Sequence, residues 1–138
     1  AKVEQKVPIA RVQNSEVFYI DDQGFRMPLS TQHSARVPVV YGIVEEEDLK
    51  RVYKLALTAY NDTFLKTYLT EIHQNKNKEI SLKLRLLDFE VSVGNIDNLE
   101  VKLKNLKAFY QKAKKDNMLD IYKSVNLQFD NQVVCTKK

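Results

Sequence analysis

The sequence predicts an α+β fold, a mostly antiparallel, curved sheet with helices packed on one face. Apolar and polar side chains alternate over residues 80–86 and again over residues 89–93, which indicates two strands joined by a tight turn. Apolar residues at helical spacing follow residues 45–48 and 97–100. Because adjacent strands are joined by short turns, we expect antiparallel pairing, with elements in the order βββ, αα, ββ, α, ββ.

Length and composition are those of one globular core. The chain has 138 residues, 43% of them hydrophobic, and a formal net charge of +4. No apolar stretch approaches the roughly 20 residues that span a membrane. The single cysteine, Cys135, excludes an internal disulfide and any metal site built from several cysteines.

The first third of the chain reads as strands. Residues 2–12 alternate roughly and predict a strand interrupted by Pro8. The run 17–29, VFYIDDQGFRMPL, predicts a hairpin in which Asp21 and Asp22 begin the turn and Gly24 supplies a positive φ at no steric cost. This segment carries no reactive group.

Three helices are predicted after residue 44. The acidic run Glu45–Asp48 opens the first, because carboxylates in a first turn interact favourably with the helix dipole. Asn61–Thr63 offers caps for a second. Asp97 and Glu100 have the spacing of a capping box and begin a third. The apolar face predicted for the second helix comprises Phe64, Leu65, Tyr68, Leu69 and Ile72.

The third helix is rich in lysine. From residue 102 to the end of the chain, nine lysines stand against three aspartates, a net charge of +6. We expect the helix lysines to point mostly outward: Lys102, Lys104, Lys107, Lys112, Lys114 and Lys115. One functional hypothesis is therefore a basic domain that binds nucleic acid or an anionic surface through the Lys102–Lys115 helix.

The sequence offers no catalytic or metal-binding constellation. His33 and His73 are the only histidines, and neither has a partner at triad or ligand spacing. Cys135 lies in an apolar strand and reads as a small buried hydrophobe. No phosphate-binding, dinucleotide-binding, zinc-protease or serine-hydrolase motif occurs. We expect no enzymatic activity, no cofactor and no metal.

Four segments together resemble the extracytoplasmic β domain of the FtsQ/DivIB family of bacterial cell-division proteins. They are Val7–Val12, which is similar to the junction before that domain, Phe18–Asp21 with Gly24, which is similar to the family hairpin, Arg36–Gly42 and Phe89–Gly94. The lysine-rich, tryptophan-free composition is similar to that of family members from Bacteroidetes.

The resemblance implies a domain organisation and a function. Residues 1–12 would be the end of a POTRA-like region and its junction strand, and residues 13–138 an FtsQ-like β domain. The full protein would be a single-pass inner-membrane protein with this domain in the periplasm. The implied role is a non-catalytic scaffold that recruits FtsB-like and FtsL-like division proteins, with no nucleic acid as partner.

The resemblance also implies where the partner binds. Family members bind FtsB near their last strands, which here are residues Phe129, Asp130, Asn131, Gln132, Val133, Val134 and Cys135. A final strand at a sheet edge exposes unpaired N–H and C=O groups, to which a partner segment can add as a further strand. Val133 and Cys135 share one face and Val134 lies on the other. Lys137 and Lys138 stand where some relatives carry an aromatic, and they would limit promiscuous pairing.

Overall fold

The computed structural model describes residues 7–13, 16–27, 37–85, 87, 89–128 and 133–137. In these residues, nine strands form one sheet, and helices connect some of the strands. The elements in chain order are β1 Pro8–Gln13, β2 Val17–Asp21, β3 Arg26–Met27, β4 Val39–Tyr41, α1 Glu46–Tyr60, α2 Thr63–Tyr68, β5 Leu69–Gln74, β6 Ile80–Leu84, β7 Glu90–Gly94, α3 Leu99–Lys115, a 3-10 turn Leu119–Ile121, β8 Tyr122–Asn126 and β9 Val134–Lys137.

The strands are ordered β3-β2-β1-β4-β5-β6-β7-β8-β9 across the sheet. Five of the eight neighbouring pairs are antiparallel, and the parallel ones are β1–β4, β4–β5 and β7–β8. Parallel neighbours need a crossover connection. Helices α1 and α2 provide it between β4 and β5, and α3 provides it between β7 and β8. The predicted α+β class, with a mostly antiparallel sheet, is confirmed.

A single row of side chains forms the centre of the core. Its members lie opposite one another in successive strands and are all fully buried: Val12, Val40, Ile72, Leu82, Val91 and Val125. Buried residues of α1 and α3, including Leu55 and Leu106, belong to the same hydrophobic cluster. In β9 the residue opposite Val125 is Cys135, so the row ends at the last strand.

Asp48 fixes the start of α1. Its carboxylate is fully buried and accepts hydrogen bonds from the backbone N–H groups of Val44 and Glu45, at 3.0 and 2.9 Å. It also forms ion pairs with Arg51 and with Lys78, the latter at 3.1 Å. Burial raises the pKa of Asp48, but the two backbone donors and Lys78 outweigh it and hold the pKa well below its ordinary value. The predicted helix start is confirmed.

The predicted N-terminal hairpin is also confirmed. β2 and β3 pair antiparallel, and Gly24 in the connecting turn has φ +88°. The fully buried Asp21 holds this turn, because its Oδ1 accepts from the N–H groups of Gln23 and Phe25, at 2.9 and 2.8 Å. Asp21 therefore acts as a turn residue, as its sequence context predicts.

Two helix-boundary predictions are wrong, and the predicted order βββ, αα, ββ, α, ββ lacks strands β4 and β5. The second helix ends at Tyr68, and the chain continues at once as β5, so Leu69 and Ile72 are strand residues and not part of a helix face. The third helix begins at Leu99 after Asn98, which has φ +55° and no side-chain cap, so the predicted capping box of Asp97 and Glu100 does not form. The proposed boundary at residue 12 remains a prediction; β1 itself lies inside the sheet, between β2 and β4.

Candidate partner-binding edge

Strand β9 lies at one end of the sheet. Among the described residues it pairs with β8 alone, antiparallel, with Asn126 opposite Val134 and Val125 opposite Cys135. Its outer side therefore presents main-chain donors and acceptors without a neighbouring strand in the part of the chain that the structure describes. Four of the seven residues predicted to bind a partner, Phe129, Asp130, Asn131 and Gln132, lie outside the described residues.

The other three predicted residues alternate as expected. Val133 and Cys135 are half-buried and pack against the hydrophobic core. Val134 points to the other face and is 42% exposed. Burial raises the pKa of the Cys135 thiol, which favours the protonated form. The thiol therefore behaves as a half-buried apolar group, in line with the sequence interpretation.

An aromatic cluster lies beneath this edge. Tyr122, the first residue of β8, packs edge-on against Phe109 of α3, with ring centroids 5.2 Å apart, and against Phe89, 6.4 Å away. Tyr122 lies opposite Lys137 of β9. The sequence analysis did not predict a role for Tyr122. The available signal was its position, three residues before Val125 and at the start of the alternating run.

The lysine-rich helix is less open than predicted. Lys102 is buried, and its ammonium donates to the carbonyl oxygens of Val93 and Asn95, at 3.0 and 2.9 Å. Lys107 forms a 2.6 Å ion pair with Asp62, the residue that caps α2. The expectation that Lys102 points to solvent is therefore wrong, and Lys107 is half-buried in its ion pair with Asp62. The exposed lysines of this helix are Lys104, Lys112, Lys114 and Lys115.

The structure also shows the surroundings of His73 and of the other groups that could bind a metal. His73 contacts Glu71 at 2.9 Å and stacks on Tyr41, with ring centroids 4.8 Å apart, on the polar face of the sheet. No three His, Cys, Asp or Glu side chains in the described ranges come together as a metal site. His33 lies outside those ranges. Of the helices the structure describes, none has the length and hydropathy to cross a membrane.

A family model of the FtsQ/DivIB C-terminal related family matches residues 7–136, which is nearly the whole chain. The chain belongs to this family. The resemblance inferred from the four sequence segments is thus confirmed, and with it the assignment of this FtsQ/DivIB-family chain as a cell-division domain. The matched range includes every element from β1 to β8 and all but the last residue of β9.

Among solved structures, the chain is similar to the major extracytoplasmic domain of the trans isomer of the cell-division protein DivIB from Geobacillus stearothermophilus. Sequence identity is 15%, the match covers 67% of this chain and 81% of that one, and the TM-score is 0.47. No curated protein matches this FtsQ/DivIB-family chain.

Proposed function

We propose that this FtsQ/DivIB-family domain is a non-catalytic scaffold of the division machinery, which recruits FtsB-like and FtsL-like partners by accepting a strand along β9. The proposal includes an extracytoplasmic location, with the full protein held in the inner membrane by one helix. The observation that carries the proposal is the place of β9: it is the last strand of a nine-stranded sheet and pairs on one side only within the described residues.

The physical basis is main-chain complementarity. An added strand satisfies the free N–H and C=O groups of an edge, and its alternate side chains meet the two faces of the sheet. On the helix side, the buried row ends at half-buried Cys135, so an apolar side chain placed beside it would extend the core. On the opposite side, Val134 offers exposed apolar surface. The first contact favours a partner with apolar side chains on the helix-side face, and Val134 adds apolar contact on the other face.

The first experiment places a charge on this edge. Val134→Lys should weaken binding of the soluble segment of the FtsB-like protein from the same genome by at least about tenfold, since lysine on an edge strand opposes pairing. Affinity is measured by calorimetry, and folding by thermal denaturation. Val101→Lys is the matched control, because Val101 is 47% exposed on α3, away from β9. Unchanged affinity in Val134→Lys would contradict the proposal.

A second experiment tests main-chain pairing itself. Partner peptides are synthesised with N-methyl groups on alternate residues, in two offset series. If the peptide adds as a strand, one series loses the N–H groups that face β9 and should not bind, whereas the other should bind nearly normally. Equal binding of both series would indicate docking through side chains and would rule out strand addition.

The salt dependence of binding distinguishes the basic-surface hypothesis from strand addition. Binding to a generic oligonucleotide through the exposed lysines of α3 would weaken steeply between low and physiological salt. We expect fluorescence anisotropy to detect no such binding at physiological salt. Salt-sensitive binding that Lys112→Glu abolishes would favour the basic-surface function instead.

A further inference from the structure

The side of β9 that faces the helices carries two apolar side chains followed by a lysine. Val133 and Cys135 lie on this face and pack against the core. Side chains alternate along a strand, so Lys137 comes next on the same face. It lies opposite Tyr122, which packs against aromatic residues of the helix side. The face therefore presents two half-buried apolar side chains followed by an exposed ammonium.

The Lys137 ammonium forms no ion pair with a carboxylate of the described residues. The β8 and β9 segments contain two lysines, Lys123 and Lys137, and no aspartate or glutamate. Both lysines are exposed, and neither lies within 4.0 Å of a carboxylate of a described residue. Lys123 lies in the β-bulge between the pairs formed by Tyr122 and Ser124. The two strands are thus basic near Lys137, and the exposed Asp120, two residues before Tyr122 in the chain, forms no ion pair with Lys137.

We propose that the strand accepted by β9 is an acidic–apolar segment, with a carboxylate opposite Lys137 and two apolar side chains opposite Cys135 and Val133. This inference rests on the proposed function and specifies its partner. Opposite charges directly across a strand pair stabilise it and like charges destabilise it, so the lysine selects the register. In an antiparallel addition, which is the more stable arrangement, the carboxylate comes first in the partner sequence.

A second copy of this chain fits the same pattern poorly. Residues 133–137 read VVCTK and contain no carboxylate. An antiparallel pair of two copies that sets Asp130 opposite Lys137 would set Gln132 opposite Cys135, where the proposal requires an apolar side chain. A nucleic acid would match the charge but not the half-buried apolar positions that precede it.

The test uses two peptides of about 12 residues in a common flanking sequence. One carries Glu-Thr-Val-Thr-Val and the other Lys-Thr-Val-Thr-Val. Titration followed by NMR of the labelled domain should show the glutamate peptide binding about fivefold more tightly at low salt, with the preference shrinking at high salt. In Lys137→Glu the preference should reverse. Lys104→Glu, an exposed lysine of α3, is the matched control and should leave the preference unchanged.

The outcomes separate this inference from the function it rests on. If Val134→Lys abolishes binding of both peptides but Lys137→Glu leaves the ratio of their affinities unchanged, strand addition is supported and the preference for an acidic–apolar segment is overturned. If both peptides bind and Val134→Lys has no effect, strand addition at β9 fails as well. Reversal of the ratio in Lys137→Glu supports the preference.

Discussion

The two ends of the sheet are finished in different ways. At the β3 end, the Arg26 guanidinium lies 4.6 Å from the Phe18 ring and forms an ion pair with Glu46 of α1. The Tyr53 hydroxyl of α1 donates to the Asp22 carbonyl at 2.8 Å. At the β9 end, no helix side chain hydrogen-bonds or forms an ion pair with residues 133–137 within the described part of the chain.

This difference supports the proposal that a partner binds at β9 rather than at β3. Helix α1 braces the β3 end through side chains of its first two turns, so adding a strand there would meet an edge already tied to the helix layer. Among the described residues, β9 forms main-chain pairs with β8 alone, and its half-buried Val133 and Cys135 pack against the core. An edge strand with free N–H and C=O groups is a template for an added strand.

The largest expected effect is on the helix that braces the β3 end. Asp48→Ala should lower the free energy of unfolding by about 3 kcal/mol, because it removes a cap-like acceptor and charge-assisted hydrogen bonds at a buried position. Urea unfolding measures this. The neighbouring exposed acid gives the control: Glu47→Ala should stay within about 0.5 kcal/mol of the parent. Equal effects of the two substitutions would refute this role.

Acid should weaken the start of α1 and the cap of α2. The pKa of Asp48 is held below its ordinary value despite burial, and the pKa of Asp62 is lowered by Lys107 and two backbone donors, again against burial. A carboxyl with a depressed folded-state pKa stabilises the fold above its unfolded pKa, about 4. Its contribution is lost as pH falls through the folded pKa.

We therefore expect the free energy of unfolding to fall by about 2 kcal/mol as the pH is lowered from 5 toward 2. Denaturant titrations at several pH values check this. In Asp48→Asn the slope below pH 4 should be shallower, since a neutral amide does not titrate. An unchanged slope in that variant would show that other carboxyls carry the acid sensitivity.

The β3 hairpin turn should be the next most sensitive point. Asp21→Ala removes the acceptor for the N–H groups of Gln23 and Phe25 and should cost about 1.5 kcal/mol. Asp21→Asn keeps an acceptor oxygen and should cost less. Both are measured by thermal denaturation, and neither should change partner affinity, because the turn is at the far end of the sheet from β9. A loss of partner binding in either would argue that partners use the β3 end.

Local patterns predicted what local forces decide. Alternation predicted β6 and β7, the acidic run predicted the start of α1, and Asp62 caps α2 as expected. The failure at residues 69–72 has a clear cause. Leu65, Leu69 and Ile72 fall at helical spacing, but Ile72 is a member of the buried row between β4 and β6, so sheet burial overrides the helical pattern.

The pairing of strands that are distant in the chain could not be predicted from local sequence patterns. Nothing local indicates that β1 pairs parallel with β4, or that β7 pairs with β8 across α3. The same limit explains Lys102, whose ammonium is held by carbonyl groups of the β7 end that only the folded chain brings near. At the candidate site, the alternation of Val133, Val134 and Cys135 was predictable from strand geometry, whereas Tyr122 beneath the edge depends on the β8–β9 pairing.

The smallest expected change in stability is at β9, and a matched pair of substitutions makes it informative. Val125 and Val134 lie in adjacent strands, the first fully buried and the second 42% exposed. Val125→Thr places a hydroxyl in the core and should cost about 2 kcal/mol. Val134→Thr makes the same chemical change on an exposed, β-branched position and should stay within about 0.5 kcal/mol.

Partner affinity distinguishes an open β9 edge from a closed one. If β9 is an open edge, Val134→Thr should reduce affinity for an added strand modestly, by about threefold at most, because the main-chain bonds remain and only apolar contact is lost. Calorimetry with the FtsB-like segment and urea unfolding of the same variant measure both quantities. A cost in stability as large as that of Val125→Thr would mean that β9 is closed within the domain itself, and the partner would then have to bind elsewhere.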